Sequence, residues 1–184
     1  MNPMQLRRTL VSVHLYLAAF LAPAFILVAV SGGLYLTDNK GGTADVALEL
    51  PAGAALDFKS DTLEADVRAL LESAGVSHKF EYLRVRPTAV QTRPTSRDYV
   101  QFGQSPDGLT ATMKKPDLNY ALIELHKGHG PRAFRLYQIA VAVSLFFVAL
   151  GGLTVGLLAP SFRKQTIVTL GVGALVFGYL AFAA

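Results

Sequence analysis

The chain has no cysteine and no tryptophan, and both of its ends lack acidic residues. Without thiols there can be no iron–sulfur cluster, no thiolate zinc site, no thiol catalysis and no covalent c-type haem. All 13 acidic residues lie between Asp38 and Glu124. Outside that window three stretches carry neither acid nor Lys or Arg: Thr9–Thr37 (29 residues), Leu136–Phe162 (27) and Gln165–Ala184 (20). Each is long enough to cross a bilayer core, which takes about 20 apolar residues as helix. With 52% of its 184 residues hydrophobic and 16% charged in this segregated way, the chain is not a soluble domain, a disordered chain or a disulfide-stapled secreted module. The net charge of +4 does not point to nucleic acid. Arg7, Arg8, Arg163 and Lys164 flank the hydrophobic stretches, where basic residues set topology.

Short basic segments stay in the cytoplasm. Arg7-Arg8 and Arg163-Lys164 fall on the same side if there are three spans, so the reading is self-consistent. It divides the chain into a cytoplasmic N-terminus and first span (residues 1–37), an outer domain (38–135), and second and third spans joined by a short cytoplasmic turn (136–184). The first apolar run is about twice the length of a secretory h-region and lacks a small-residue cleavage site, so it is expected to remain as an anchor. Pro23 is expected to bend it by removing one internal hydrogen bond.

The outer segment has the pattern of a small α+β domain. Asp61 and Glu64 are spaced as a capping pair. Leu63, Val67, Leu70 and Leu71 follow at helical spacing, and Gly75 supplies a stop. Beyond it Phe80, Tyr82 and Val85 alternate loosely with charged residues. Asp98–Phe102 and Leu109–Met113 flank Pro106-Asp107-Gly108, a hairpin turn. Asn119–Leu125 reads as a last strand. The expected fold is one helix against a three- or four-stranded antiparallel sheet, with a core too small to dispense with outside packing.

His14 near the inner end of the first span, the exit Ser31-Gly32-Gly33-Leu34-Tyr35-Leu36, the helix-then-hairpin domain, Leu125-His126-Lys127-Gly128-His129-Gly130, and Leu150-Gly151-Gly152-Leu153 in the second span occur in an ordered series. In this order and spacing the chain resembles the PepSY-associated transmembrane family of bacterial inner-membrane proteins over about residues 5 to 160. The resemblance implies a PepSY-like periplasmic domain and a tie to electron transfer or iron handling. Larger members are linked to reduction of ferric siderophores and hold b-type haem between spans.

An ionisable group inside a span is functional by default, which makes His14 a candidate haem ligand. A haem clamped by two histidines needs a second one at similar depth, and the other spans have no His, Met or Cys. His14 would therefore need a ligand from another chain, and no cofactor is expected otherwise. Its plainer role is interfacial, beside Arg7 and Arg8. His126 and His129 are candidate metal ligands by their spacing, although the Lys-Gly interior and Gly130-Pro131 favour a turn. Lys127, Arg132 and Arg135 form a basic collar at the outer interface, able to meet phosphates or an acidic partner. His78 reads as a surface residue.

No phosphate loop, Gly-x-Ser-x-Gly, His-Glu-x-x-His or nucleotide fingerprint is present, and the spans have no carboxylate to relay protons. Small residues recur instead: Ala18 and Ala22 in the first span, Gly152 and Gly156 in the second, Ala174 and Gly178 in the third. Such spacings let backbones approach closely in lipid, within one chain or between subunits. The sequence therefore points to a non-catalytic accessory subunit of an inner-membrane complex, packed on other subunits or on itself. A haem-binding component of a siderophore-iron reduction system is the alternative.

Overall fold

The computed structural model describes residues 3–106 and 108–183, with the side chains of 3, 4, 6 and 7 outside that description. Among the described residues three helices are long and apolar enough to cross a membrane: α1 (Pro3–Leu36), α4 (Arg132–Leu158) and α5 (Pro160–Phe182). Between α1 and α4 lie β1 (Thr43–Leu48), α2 (Leu63–Ser73), β2 (Tyr82–Arg86), β3 (Ala89–Arg93), β4 (Tyr99–Ser105), β5 (Gly108–Pro116) and α3 (Leu118–His126). The architecture is thus three membrane-length helices flanking a small α+β domain. Two compact bodies result, one made of the residues up to Ala24 with those from Ile139 onward, the other of Phe25–Gln138. The division falls inside α1 and α4 rather than at their ends. A hydrogen bond between Ser31 and His126, and one from Gln138 to the end of α3, tie those helix ends to the domain.

In the helical body, Leu21, Ala24, Val141 and Ala159 are buried. Hydroxyls at Thr154, Thr166 and Thr169 donate to carbonyls one turn back, so they are satisfied within their own helices. The turn between the second and third spans is tighter than the basic pair suggested. α4 ends at Leu158, Ala159 alone is extended, and Pro160 opens α5. Proline disfavours helix at the residue before it but suits the first helical position, which sets the break here. Arg163 and Lys164 consequently lie inside α5, and Arg163 Nε donates to the Leu157 carbonyl (2.8 Å), satisfying one orphan acceptor at the end of α4.

Among the described residues the domain has two helices and five strands, in the order β1-β5-β4-β3-β2 with every neighbour antiparallel. The expected hairpin is present as β4 and β5, with Ser105 opposite Gly108; Asp107 lies outside the described residues. β1 and β3 were not evident in the sequence. β1 is a largely exposed edge strand without clean alternation, and β3 carries Gln91, Thr92 and Arg93. α2 places Leu63, Val67 and Leu71 on Phe80, Val90, Val100 and Phe102 to form the core. Burying such side chains contributes about 1.5–3 kcal/mol each. Gly75, at φ +69°, ends α2: Val76 N–H donates to Leu71 O and Gly75 N–H to Glu72 O, the paired bonds of a Schellman stop.

Two local expectations are corrected. Asp61 does not cap α2: Thr62 occupies that position without a side-chain cap, its hydroxyl donating to Asp66, and Glu64 pairs with Arg68 (2.8 Å). Asn119–Leu125 is helix, not strand. Asp117 is its N-cap, accepting from Tyr120 N–H (2.8 Å), and its other oxygen accepts from Gly42 N–H (2.8 Å). The capped start and the helix formers Ala121, Leu122, Glu124 and Leu125 outweigh the β-favouring Tyr120 and Ile123. Adjacent residues on a strand face opposite ways, and Val100 joins the core while the hydroxyl of buried Tyr99 meets that of Tyr120 (3.2 Å). α3 therefore lies across the sheet face opposite α2.

Candidate functional site

The most connected polar cluster gathers where α3 ends. Gly128, at φ +76°, is the left-handed residue of a second Schellman stop, with His129 N–H donating to Glu124 O (2.9 Å) and Gly128 N–H to Leu125 O (3.0 Å). This stop folds His129 back over its own helix. His129 Nδ1 then donates to Glu124 Oε2 (2.7 Å), and Lys127 Nζ to Glu124 Oε1 (2.8 Å). From the sheet, Arg93 donates to Thr95 Oγ1 (2.7 Å), and Thr95 donates to Glu124 Oε2. Arg93 also stands 3.6 Å from that carboxylate. Arg93, Thr95 and Glu124 are all buried.

Ionisation follows from these contacts. Burial raises the Glu124 carboxyl, but hydrogen bonds from Lys127, Thr95 and His129 more than offset it and hold it below the ordinary range. Burial pushes His129 down, and the nearby charge of Arg93 adds to this against the pull of Glu124. Glu124 is thus an ionised, three-donor anchor and His129 a neutral donor.

Strand pairing arranges the surroundings. Tyr82 stands opposite Arg93 and Arg84 opposite Gln91, and directly paired residues share a face. Tyr82, Arg84 and Arg93 therefore sit on the same sheet side as α3. Together with Lys127, His129 and Arg135 they line a cleft of about 490 Å³. Arg132, the first residue of α4, lays its guanidinium 5.3 Å from the Tyr82 ring centre and donates its backbone N–H to Glu81 (2.8 Å).

His126 points elsewhere. Its Nδ1 is 2.8 Å from Ser31 Oγ, while Ser31 donates its one proton to Leu27 O at 2.5 Å. The hydroxyl is therefore the acceptor and the imidazole the donor. Activation of a serine nucleophile needs the opposite polarity. An apolar groove of about 340 Å³ runs beside this pair, lined by Tyr35, Leu36 and Ile123 and reaching Lys127.

The sequence candidates are thus distributed rather than convergent. His126 and His129 hydrogen-bond to different partners, and among the described residues no group of three or more His, Cys, Asp or Glu is placed to hold a metal. Lys127 and Arg135 line the basic cleft, with Arg132 stacked at Tyr82. In the helical body His14 rests on α4: a Cβ at Gly152 would lie 3.0 Å from its Cε1. Its Nδ1 is buried without a partner. A haem clamped within one chain does not fit these residues, because the His14 ring packs on the Gly151-Gly152 backbone and α4 and α5 carry no His, Met or Cys. Gly156 faces Thr166, whose Oγ1 is 2.6 Å from where a Cβ would stand. Ala18 and Ala22 are half-buried on α1, Ala174 is exposed and Gly178 has nothing within 4 Å of a Cβ position.

Arg93, Thr95 and Glu124 were missed in the sequence. Their signal was available in part: Glu124 and Lys127 are i,i+3 partners, visible once Gly128 is read as a helix stop. Comparison with protein-family models, curated proteins and solved structures finds no match for this chain. The resemblance to the PepSY-associated family rests on the order and spacing of the residues quoted above.

Proposed function

We propose that this chain is a non-catalytic accessory subunit of a bacterial inner-membrane complex, respiratory or otherwise engaged in electron transfer. Its N-terminus lies in the cytoplasm, and its PepSY-like α+β domain stands in the periplasm against partner subunits. The observation that carries this reading is α5. No residue of α5 is buried, and Gly171, Gly173 and Gly178 leave open space at their Cβ positions. A membrane helix that meets α4 at Thr166 but leaves its later part open, with Ala174-x-x-x-Gly178 free for close backbone approach, is suited to a helix of another subunit. The reversed Ser31–His126 polarity and the saturated Glu124 support a structural rather than a chemical role. The electron-transfer setting is supported by the family resemblance alone.

Native gel electrophoresis of gently solubilised membranes tests the reading. The chain should migrate in a large complex, and Gly178→Leu should release it. Migration as a lone subunit overturns the role. A purified preparation with a Soret band that is lost in His14→Ala would favour haem binding instead. Because the chain has no cysteine, single replacements report the topology cleanly. Lys59→Cys should react with an impermeant maleimide from the periplasmic side, and Lys164→Cys should not.

A further inference from the structure

We propose that the basic cleft between the β2–β3 face and the end of α3 binds the phosphate of an anionic membrane lipid. Arg84, Arg93, Lys127 and Arg135 converge on it. The acid that reaches this group, Glu124, is already occupied by Thr95, Lys127 and His129. Among the described residues neither Arg84 nor Arg135 has a carboxylate within 4.0 Å. The cleft is therefore left with excess positive charge.

The decisive residue is Arg93. Its side chain is 3% exposed, yet its Nε is buried without a hydrogen-bond partner. A guanidinium donor taken out of water and left empty is a strong local demand for an anionic oxygen, and phosphate meets it with charge-assisted hydrogen bonds.

Position selects lipid as the source. Arg135 lies in the first turn of α4, itself membrane-length and apolar, and the end of such a span is where headgroups meet water. Lys127 lines this cleft and also the apolar groove of Tyr35, Leu36 and Ile123. A charged pocket joined through one lysine to an apolar groove matches a ligand with a phosphate head and an acyl tail. This inference needs only membrane embedding and stands whether or not the chain docks on other subunits.

The test uses the full chain in neutral detergent, with thermal unfolding as readout and three probes: dihexanoyl phosphatidylglycerol, dihexanoyl phosphatidylcholine and inorganic phosphate. Phosphatidylglycerol should raise the midpoint with concentration, as a ligand selective for the folded state does. The zwitterionic lipid and free phosphate should act only weakly. In the exposed pair Arg84→Gln/Arg135→Gln the apparent affinity for phosphatidylglycerol should fall about tenfold or more, and Arg93→Gln should abolish the shift. If Arg93→Gln does not fold, the surface pair still decides. An equal response to both lipids, or a response unchanged in the surface pair, overturns the proposal. An inorganic phosphate effect as large as that of phosphatidylglycerol overturns the lipid assignment in favour of a soluble phosphate ligand.

Discussion

Ser31 Oγ and His126 Nδ1 meet at 2.8 Å, joining the C-terminal part of α1 to the last residue of α3. The two residues belong to the sequence segments with the most distinctive spacing. Their bond helps hold the α+β domain to the helix that leads into it. Ser31 is 1% exposed, so its partner cannot simply be replaced by water.

Ser31→Ala should therefore cost about 1–2 kcal/mol of unfolding free energy, and His126→Ala a similar amount. The double variant should lose less than the sum, because each single change already breaks the shared bond. A double-mutant cycle by denaturant unfolding in detergent measures this. Strict additivity would mean that the pair contributes nothing.

Glu124 carries a larger load. Glu124→Gln should destabilise the domain by about 3–5 kcal/mol, since it leaves Arg93 buried without a counter-charge. Combining Glu124→Leu with Arg93→Met should restore much of that loss, because an apolar pair removes both charges together. Calorimetric or chemical unfolding of the three proteins compares these outcomes. A single variant as stable as the parent would show the network to be energetically idle.

Stability should also fall with acid. His129 and His78 both have depressed values in the fold, burial being the main cause, with Arg93 or Arg97 adding to it. A depressed folded value means that the unfolded chain binds the proton more tightly. The stabilisation is thus complete above the unfolded value, about 6.5, and declines as pH falls through the folded one. Glu124, also depressed, extends the loss below the ordinary carboxylate range. Unfolding midpoints should decrease between pH 7 and 5, with a shallower slope in His129→Gln and shallower again with His78→Gln added. A flat profile in the parent protein would contradict the assignment.

Gly156 tests the close approach of α4 and α5. A Cβ there would stand 2.6 Å from Thr166 Oγ1 and 3.1 Å from its Cγ2, so Gly156→Ala should cost about 1–3 kcal/mol through forced displacement. Thr166→Ala removes both atoms and should rescue most of the defect. Thermal stability in detergent, read for the two single variants and their combination, distinguishes a steric contact from a general intolerance of alanine.

The legible parts of this fold were those in which one strong local signal governs. The spans follow from uninterrupted apolar runs, α2 from Leu63, Val67 and Leu71 with Gly75 behind them, and the β4–β5 hairpin from its turn residues. α3 was misread because Tyr120, Leu122, Ile123 and Leu125 suit either a strand or a short helix. The deciding group, Asp117, acts through a cap bond rather than through periodicity. β3 was hidden by Gln91, Thr92 and Arg93, polar residues that become acceptable only once Gln101, Val100 and Glu124 supply their partners. The Arg93–Glu124 cluster was illegible for a related reason. Strand register and a helix stop bring its members together, and neither is visible before the chain is folded.

The clasp between Gly42 and Asp117 has a further consequence. Asp117 N–H donates to Gly42 O (3.0 Å), its carboxylate receives Gly42 N–H, and just beyond them Thr43 stands opposite Pro116. The segment between them therefore leaves and returns side by side at this clasp. The spacing of its two ends is thus fixed locally, while Arg93, Thr95 and Tyr99 within it still depend on Glu124 and Tyr120 beyond it, so the sheet and α3 must change together.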